Sequence, residues 1–117
     1  MKLKFGVPCS KIKDKIQDVE INCTDEAQAF AIAAGCILAG KEPEVYMQNS
    51  GLLNSLDILL SLYRPYGIPY PKLLLSLRRK PEHHRYVGRI TYKILQELQY
   101  ANIEIVEQGE EWKELML

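Results

Sequence analysis

Tyr46-Met47-Gln48-Asn49-Ser50-Gly51-Leu52-Leu53-Asn54-Ser55 is the stretch that decides the fold. Its first residues have the character of a buried strand. A polar Gln-Asn-Ser-Gly turn follows, and an apolar helix begins at once. In an open α/β sheet, such a strand-to-helix turn lies at the carboxyl edge of the strands, where ligands bind. Upstream, Glu26 opens another helix after another expected strand. Two polar turns are therefore expected to face one crevice.

Working outward, alternation and turn residues predict strands over 3–7, 19–23, 45–48, 73–77 and 103–106. The 73–77 run is apolar but for Ser76, as in a central parallel strand. Ser10 is expected to cap a small basic helix over 11–16. Thr24 is expected to cap a helix over 25–39, with Gly40 as its stop. That helix is apolar nearly all round, which predicts cover on both sides. Leu52, Leu56, Leu59, Leu60 and Tyr63 share a helical face that Pro65 ends. Tyr66-Gly67-Ile68-Pro69-Tyr70-Pro71 is a rigid linker, and 78–86 is a basic loop. Ile90, Ile94, Leu95 and Leu98 mark a further helix, and a short helix is expected over 110–117. Strands alternating with helices predict one α/β domain over 1–117. Its architecture is three-layer and doubly wound, on a mostly parallel sheet of about five strands. Right-handed crossovers put the turns beginning at Pro8, Thr24, Gln48 and Arg78 on one edge.

Composition narrows the function. The 117 residues are 47% apolar, enough for a core, and 15 basic side chains cancel 15 acidic ones. That balance argues against nucleic-acid or membrane-surface binding through bulk charge. Cys9, Cys23 and Cys36 form no Cys-x-x-Cys pair, so a reducing, cytoplasmic setting is expected. Lys2 and Lys4 lead into Gly6-Val7-Pro8 rather than an apolar run, so no secretory leader is expected. The apolar segment over 27–40 is shorter than the ~20 residues that span a bilayer.

A set of short matches goes further. Val7-Pro8-Cys9-Ser10 is the first. Glu26-Ala27-Gln28-Ala29 leading to Ala33-Ala34-Gly35 is the second. Leu38-Ala39-Gly40-Lys41-x-Pro43, Met47-Gln48-Asn49-Ser50-Gly51-Leu52 with Asn54, Tyr66-x-Ile68-Pro69 and His84-x-x-x-Gly88 follow in order. Together, over residues 5–98, they resemble the pyrimidine-binding (PYR) domain of thiamine-diphosphate-dependent 2-oxoacid decarboxylases. The nearest branch is that of the sulfopyruvate and phosphonopyruvate decarboxylases, in particular the alpha subunit of two-subunit sulfopyruvate enzymes. The resemblance implies a flavodoxin-like PYR domain, here shortened at its N-terminus. Arg78-Arg79-Lys80-Pro81 stands where the family tends to have Arg-Gly.

The resemblance also implies roles. Glu26 becomes the carboxyl that hydrogen-bonds the cofactor's pyrimidine ring and promotes its imino tautomer. The plainer reading is a Glu that complements a helix dipole. Gln48, Asn49, Ser50 and Gly51 become the wall beside the aminopyrimidine. Asn49 or Ser50 also suits the role of N-cap, and Gly51 permits close backbone approach. Asn54 and Ser55, one turn on, are expected to satisfy neighbouring backbone. Cys9 and Ser10 match a loop near the substrate. His84 is a candidate proton donor or orienter of the substrate carboxylate, against a surface histidine. Arg78 and Arg79, with Lys80, Arg85 and Arg89, suit a sulfonate or phosphonate at the crevice, against a solvated loop.

The Gly-Asp-Gly and following Asn pair that the resemblance assigns to Mg²⁺ do not occur, nor does a Gly-rich phosphate cradle. The expectation is that thiamine diphosphate is shared with a pyrophosphate-binding beta subunit, which holds the Mg²⁺. Self-association through PYR domains is expected too, with the 25–39 helix and the Tyr-rich linker as surfaces. Two rival readings stay open. One is a non-catalytic, shortened PYR-like assembly or cofactor-sensing protein. The other is an unrelated flavodoxin-like binding module.

Overall fold

A computed structural model describes residues 2–6, 21–23, 25–80, 82–107 and 113–114. The strands are β1 (Lys2–Gly6), β2 (Ile21–Asn22), β3 (Glu42–Gln48), β4 (Lys72–Leu77), β5 (Ile103–Glu107) and β6 (Lys113–Glu114). They form one sheet in the order β2-β1-β3-β4-β5-β6, parallel except for the antiparallel β5–β6 pair. The helices are α1 (Glu26–Leu38), α2 (Asn49–Asn54), α3 (Leu56–Ile58) and α4 (Arg85–Leu98). A π-helical turn, Leu59–Tyr63, continues α3, and a 3₁₀ turn, Glu82–His84, leads into α4.

The three long strands β3, β4 and β5 make the centre. Val45, Met47, Leu73, Leu75, Leu77, Ile103 and Ile105 point one way and join the core built on α1, α2 and α4. Tyr46, Leu74 and Val106 alternate to the other face and are buried as well. Burial on both faces explains why Val45-Tyr46-Met47 and Leu73-Leu74-Leu75 are apolar runs rather than alternating ones. β3 starts earlier than expected. Glu42-Pro43-Glu44 looks polar in sequence, yet Leu3 pairs Pro43 and Lys4 pairs Glu44, and Pro43 sits at the strand's start, where its missing N–H is tolerated.

Crossovers explain where the helices lie. From β2 to β3, β3 to β4 and β4 to β5 the chain steps in one direction, so right-handed connections put α1, α2–α3 and α4 on one face. Two short helices were expected at 11–16 and 110–117. The first span lies outside the described residues. In the second, Lys113–Glu114 are strand, pairing with Ile105 and Glu104, which corrects the expected terminal helix.

Local chemistry sets the helix ends. The cap of α1 is Asp25, one residue after the expected Thr24, and its carboxylate accepts from Gln28 N–H at 2.9 Å. At the other end Gly40 takes φ +82°, and the N–H groups of Gly40 and Lys41 reach the carbonyls of Ile37 and Cys36. This is the paired closure that a glycine permits. Within this chain α1 is covered on one side: Ala29, Phe30, Ala33 and Ala34 are buried, whereas Leu38 is 75% exposed. The expected single helix after the Gln-Asn-Ser-Gly turn is broken at Ser55, whose hydroxyl donates to Gly51 O at 2.8 Å. Such back-bonding bends helices.

The Tyr-rich linker is mixed: Tyr66, Gly67 and Pro69 are exposed, Ile68 and Tyr70 half-buried and Pro71 buried, and its inner side meets two tyrosines from outside it. Tyr63 and Tyr100 are fully buried, Tyr70 stacks on Tyr100 at 4.2 Å, and of the linker's rings Tyr66 stands out in solvent at 75% exposure.

Candidate functional site

Three strand ends bring the site together. Glu26 begins α1 after β2, Gln48-Asn49-Ser50-Gly51 follows β3, and Arg78 to His84 follows β4. Because these strands run parallel, all three turns share the carboxyl edge.

Glu26 lies on Gly51. A Cβ built on Gly51 falls 2.8 Å from Glu26 Cδ and 2.9 Å from its Oε1. The space that glycine leaves is thus filled by the Glu26 side chain. The backbone at Gly51 is helical, so its need for glycine comes from this contact and not from its φ. Glu26 is half-buried, and among the described residues no side chain bonds or ion-pairs with its carboxylate. A carboxyl pressed against backbone, half open to solvent and not engaged by a cation, suits hydrogen bonding to a ligand at that edge.

Asn49 is fully buried and is not a side-chain cap; α2 has none. Its Oδ1 accepts from Arg78 N–H at 3.0 Å, while its Nδ2 donates to Arg78 O at 3.0 Å and to Thr91 Oγ1 at 3.2 Å. Thr91 in turn donates to Val87 O at 2.6 Å. The turns after β3 and β4 and helix α4 are thereby tied together. Gln48 and Ser50 flank this tie and are half-buried. Ser55 serves neighbouring backbone as expected, and Asn54 is exposed.

The basic segment divides. Arg78 is half-buried at the strand end. Arg79 folds back onto α4: its guanidinium donates to Gly88 O at 3.2 Å and lies 5.9 Å from the Tyr92 ring centre. Arg85 pairs with Glu82 at 3.2 Å on the exposed side. Gly88, the last residue of the His84-x-x-x-Gly88 match, has a packing reason. A Cβ there would meet Arg78 O at 2.7 Å and Arg79 Cγ at 2.8 Å, so α4 rests directly on the loop after β4.

His84 is buried at the start of α4, with His83 against it at 4.0 Å between ring centres. Burial, then the His83 ring, then the Arg78 cation hold its imidazole below the ordinary histidine range. The sign for stability follows. The unfolded chain takes up this proton near pH 6.5, before the folded one does, so unfolding is favoured as pH falls through 6.5 toward the lowered value. The full contribution is present above that window. Urea midpoints at pH 8 and 5.5 are expected to differ less for His84→Gln than for the wild type; an equal difference would show that His84 stays unperturbed in the fold.

Cys9 and Ser10 lie outside the described residues. The sequence reading missed Thr91. It falls on the buried stripe Gly88, Thr91, Leu95 and Leu98 of α4, and a lone hydroxyl on an apolar stripe is a usable signal. Among the described residues no three His, Cys, Asp or Glu side chains gather as metal ligands, and no helix is long and apolar enough to cross a membrane.

No family model matches the chain. Curated relatives do. The sulfopyruvate decarboxylase subunit alpha of Methanocaldococcus jannaschii is 41% identical over 71 residues, 55% of this chain and 42% of that protein. The subunit alpha of Methanococcus maripaludis is 30% identical over 101 residues, 78% of this chain and 60% of the relative. The phosphonopyruvate decarboxylase of Streptomyces viridochromogenes is 36% identical over 102 residues, 77% of this chain and 25% of the relative. The chain thus spans less than two thirds of each of these relatives. The chain is similar to sulfopyruvate and phosphonopyruvate decarboxylases, alpha subunits included, the group that its sequence motifs resemble.

Proposed function

We propose that this chain is the alpha, PYR-type part of a thiamine-diphosphate-dependent 2-oxoacid decarboxylase, cytoplasmic and hetero-oligomeric. In this reading it releases carbon dioxide from a sulfopyruvate- or phosphonopyruvate-like acid. The observation that carries the reading is the contact of Glu26 with Gly51, which joins the Glu26–Gly35 and Met47–Leu52 motifs at one edge of the sheet. The strand order β2-β1-β3-β4-β5, parallel throughout, supports a flavodoxin-like PYR domain.

The residues present fit the cofactor's pyrimidine end. Glu26 offers a half-buried carboxyl against a turn without a Cβ. Thiamine diphosphate, when bound, would supply the nucleophilic carbon and the electron sink that decarboxylation of a 2-oxoacid needs. Glu26 holds a proton shared with the ring nitrogen at its carboxylate oxygen. Gln48 and Ser50 line the adjacent wall, with Gly51 as the floor under Glu26. Arg78 faces the substrate's acidic group, and His84 orients its carboxylate. Arg79 contributes through its hold on α4. Cys9 and Ser10 take the substrate-binding role that the resemblance implies for them. The diphosphate and its Mg²⁺ fall to a beta subunit, and pairs of this chain associate within the assembly.

The test is co-expression with a protein carrying the Gly-Asp-Gly and Asn-Asn pattern. A stable complex that releases carbon dioxide from sulfopyruvate or phosphonopyruvate, dependent on thiamine diphosphate and Mg²⁺, is the expected result. A complex that assembles but never turns over either acid would favour the assembly or sensing reading.

A further inference from the structure

The side chain of Asn49 behaves as one more rung of the β3–β4 ladder. The ladder ends with Gln48 opposite Ser76. Two residues past that rung, both backbone groups of Arg78 are bonded to the Asn49 amide, its N–H to Oδ1 and its C=O to Nδ2, each at 3.0 Å. A primary amide presents an acceptor and a donor side by side in one plane, and so can bond the N–H and the C=O of one residue at once. The remaining N–H reaches Thr91 Oγ1 at 3.2 Å, on α4. Each atom of the amide is therefore engaged on the frame, with no exposure to solvent. Aspartate cannot reproduce this pattern when ionised, since it only accepts, and serine is too short to span both groups.

The clamp holds one residue in particular. Arg78 is the first residue beyond β4, with its side chain half-buried and its Nε atom buried. A backbone fixed at both its N–H and its C=O leaves that guanidinium little choice of origin. Gly88 presses on the same carbonyl from α4, so Arg78 O is held from two sides. Resting on the decarboxylase reading, we infer that Asn49 is a positioning residue: it acts through Arg78, aiming that cation at the acidic group of a small anionic 2-oxoacid.

The test is a double-mutant cycle in the assembled enzyme, with hydrogen exchange on the chain itself. Asn49→Ser is expected to speed exchange of the Arg78 amide and to raise KM for the anionic substrate about tenfold, with kcat changed less. Arg78→Gln keeps the backbone clamp and is expected to raise KM by itself. Asn49→Ser is then expected to add little in the Arg78→Gln background, because residues that act as a unit are not additive. Thr91→Val, which spares both bonds to Arg78, is the folding control and is expected to leave KM near the wild-type value. Equal KM effects of Asn49→Ser in the two backgrounds would overturn the inference, as would an unchanged KM. If the complex proves inactive, the decarboxylase reading fails separately. Exchange still decides the clamp in that case: a wild-type Arg78 amide as fast as that of Asn49→Ser overturns it, and a slower one supports it.

Discussion

Glu26→Gln is expected to abolish carbon dioxide release by the assembled enzyme while leaving the fold in place. The change is nearly isosteric, so the packing on Gly51 survives. What goes is the carboxyl's capacity to hold and return a proton. An ordinary acid–base residue is worth ~10²–10⁴ in rate. Here the loss is expected to exceed that range, on the order of 6 kcal/mol or more of transition-state stabilisation, because the same proton both generates the reactive form and is regenerated in each cycle. The neighbouring Asp25 gives the contrast. Its carboxylate caps α1 through Gln28 N–H, and Asp25→Ala is expected to lower stability by about 1 kcal/mol with turnover retained. Two adjacent acids on one helix end are thus assigned opposite duties. If Glu26→Gln turns over within a few-fold of the wild type, Glu26 is a dipole-complementing residue and leaves the chemistry.

That contrast also shows what the sequence could and could not convey. Glu26 and Gly51 were both legible as residues of interest, each from its own turn. Their contact was not, because it joins positions far apart in the chain, and local patterns carry no register between turns. Gly51 was accordingly read as room for a ligand, whereas Glu26 takes the room. Asn49 was read as wall or cap. A polar residue in a strand-to-helix turn invites both readings, and its true partners lie 29 and 42 residues onward. The central strands were legible for the opposite reason: β3 and β4 are buried on both faces, and Val45-Tyr46-Met47 and Leu73-Leu74-Leu75 stand out as apolar runs. The ends of α1 came within a residue, since Gly40 marks the stop. At 110–117 the reading failed. Trp112, Leu115 and Met116 fit one side of a helix, but eight residues are too few to separate a 3.6 period from a 2 period. Pairing with β5 settles residues 113–114 as strand.

The largest effect on stability is expected at Phe30, one helical turn after Glu26. Phe30 is fully buried. Its ring meets Tyr63 edge-on at 6.0 Å and Tyr100 at 6.5 Å, and its carbonyl accepts the Tyr63 hydroxyl at 2.6 Å. Phe30→Ala removes the ring from between two others that are themselves fixed. Tyr63 is tied to Phe30 O, Tyr100 donates to Pro71 O, and Tyr70 is stacked on Tyr100 while donating to Leu98 O. Such a frame cannot collapse into the space, so the change is expected near ~3–5 kcal/mol, the range for buried Phe→Ala. Against a total of about 5–15 kcal/mol that is enough to threaten folding at 37 °C, and a fall in Tm on the order of 10–20 °C follows. Tyr63→Phe keeps the ring and loses one bond, for about 1–2 kcal/mol. Burial pushes the Tyr63 phenol far above its usual range, so that bond persists until the pH rises well past ~10. Calorimetry on the two variants separates ring from hydroxyl. The consequence reaches the site, because Phe30 fixes the rotation of α1 and hence the side from which Glu26 meets Gly51. Should Phe30→Ala melt within a few degrees of the wild type, the aromatic frame does not set that rotation, and the contact at Gly51 must be held by the capped end of α1 alone.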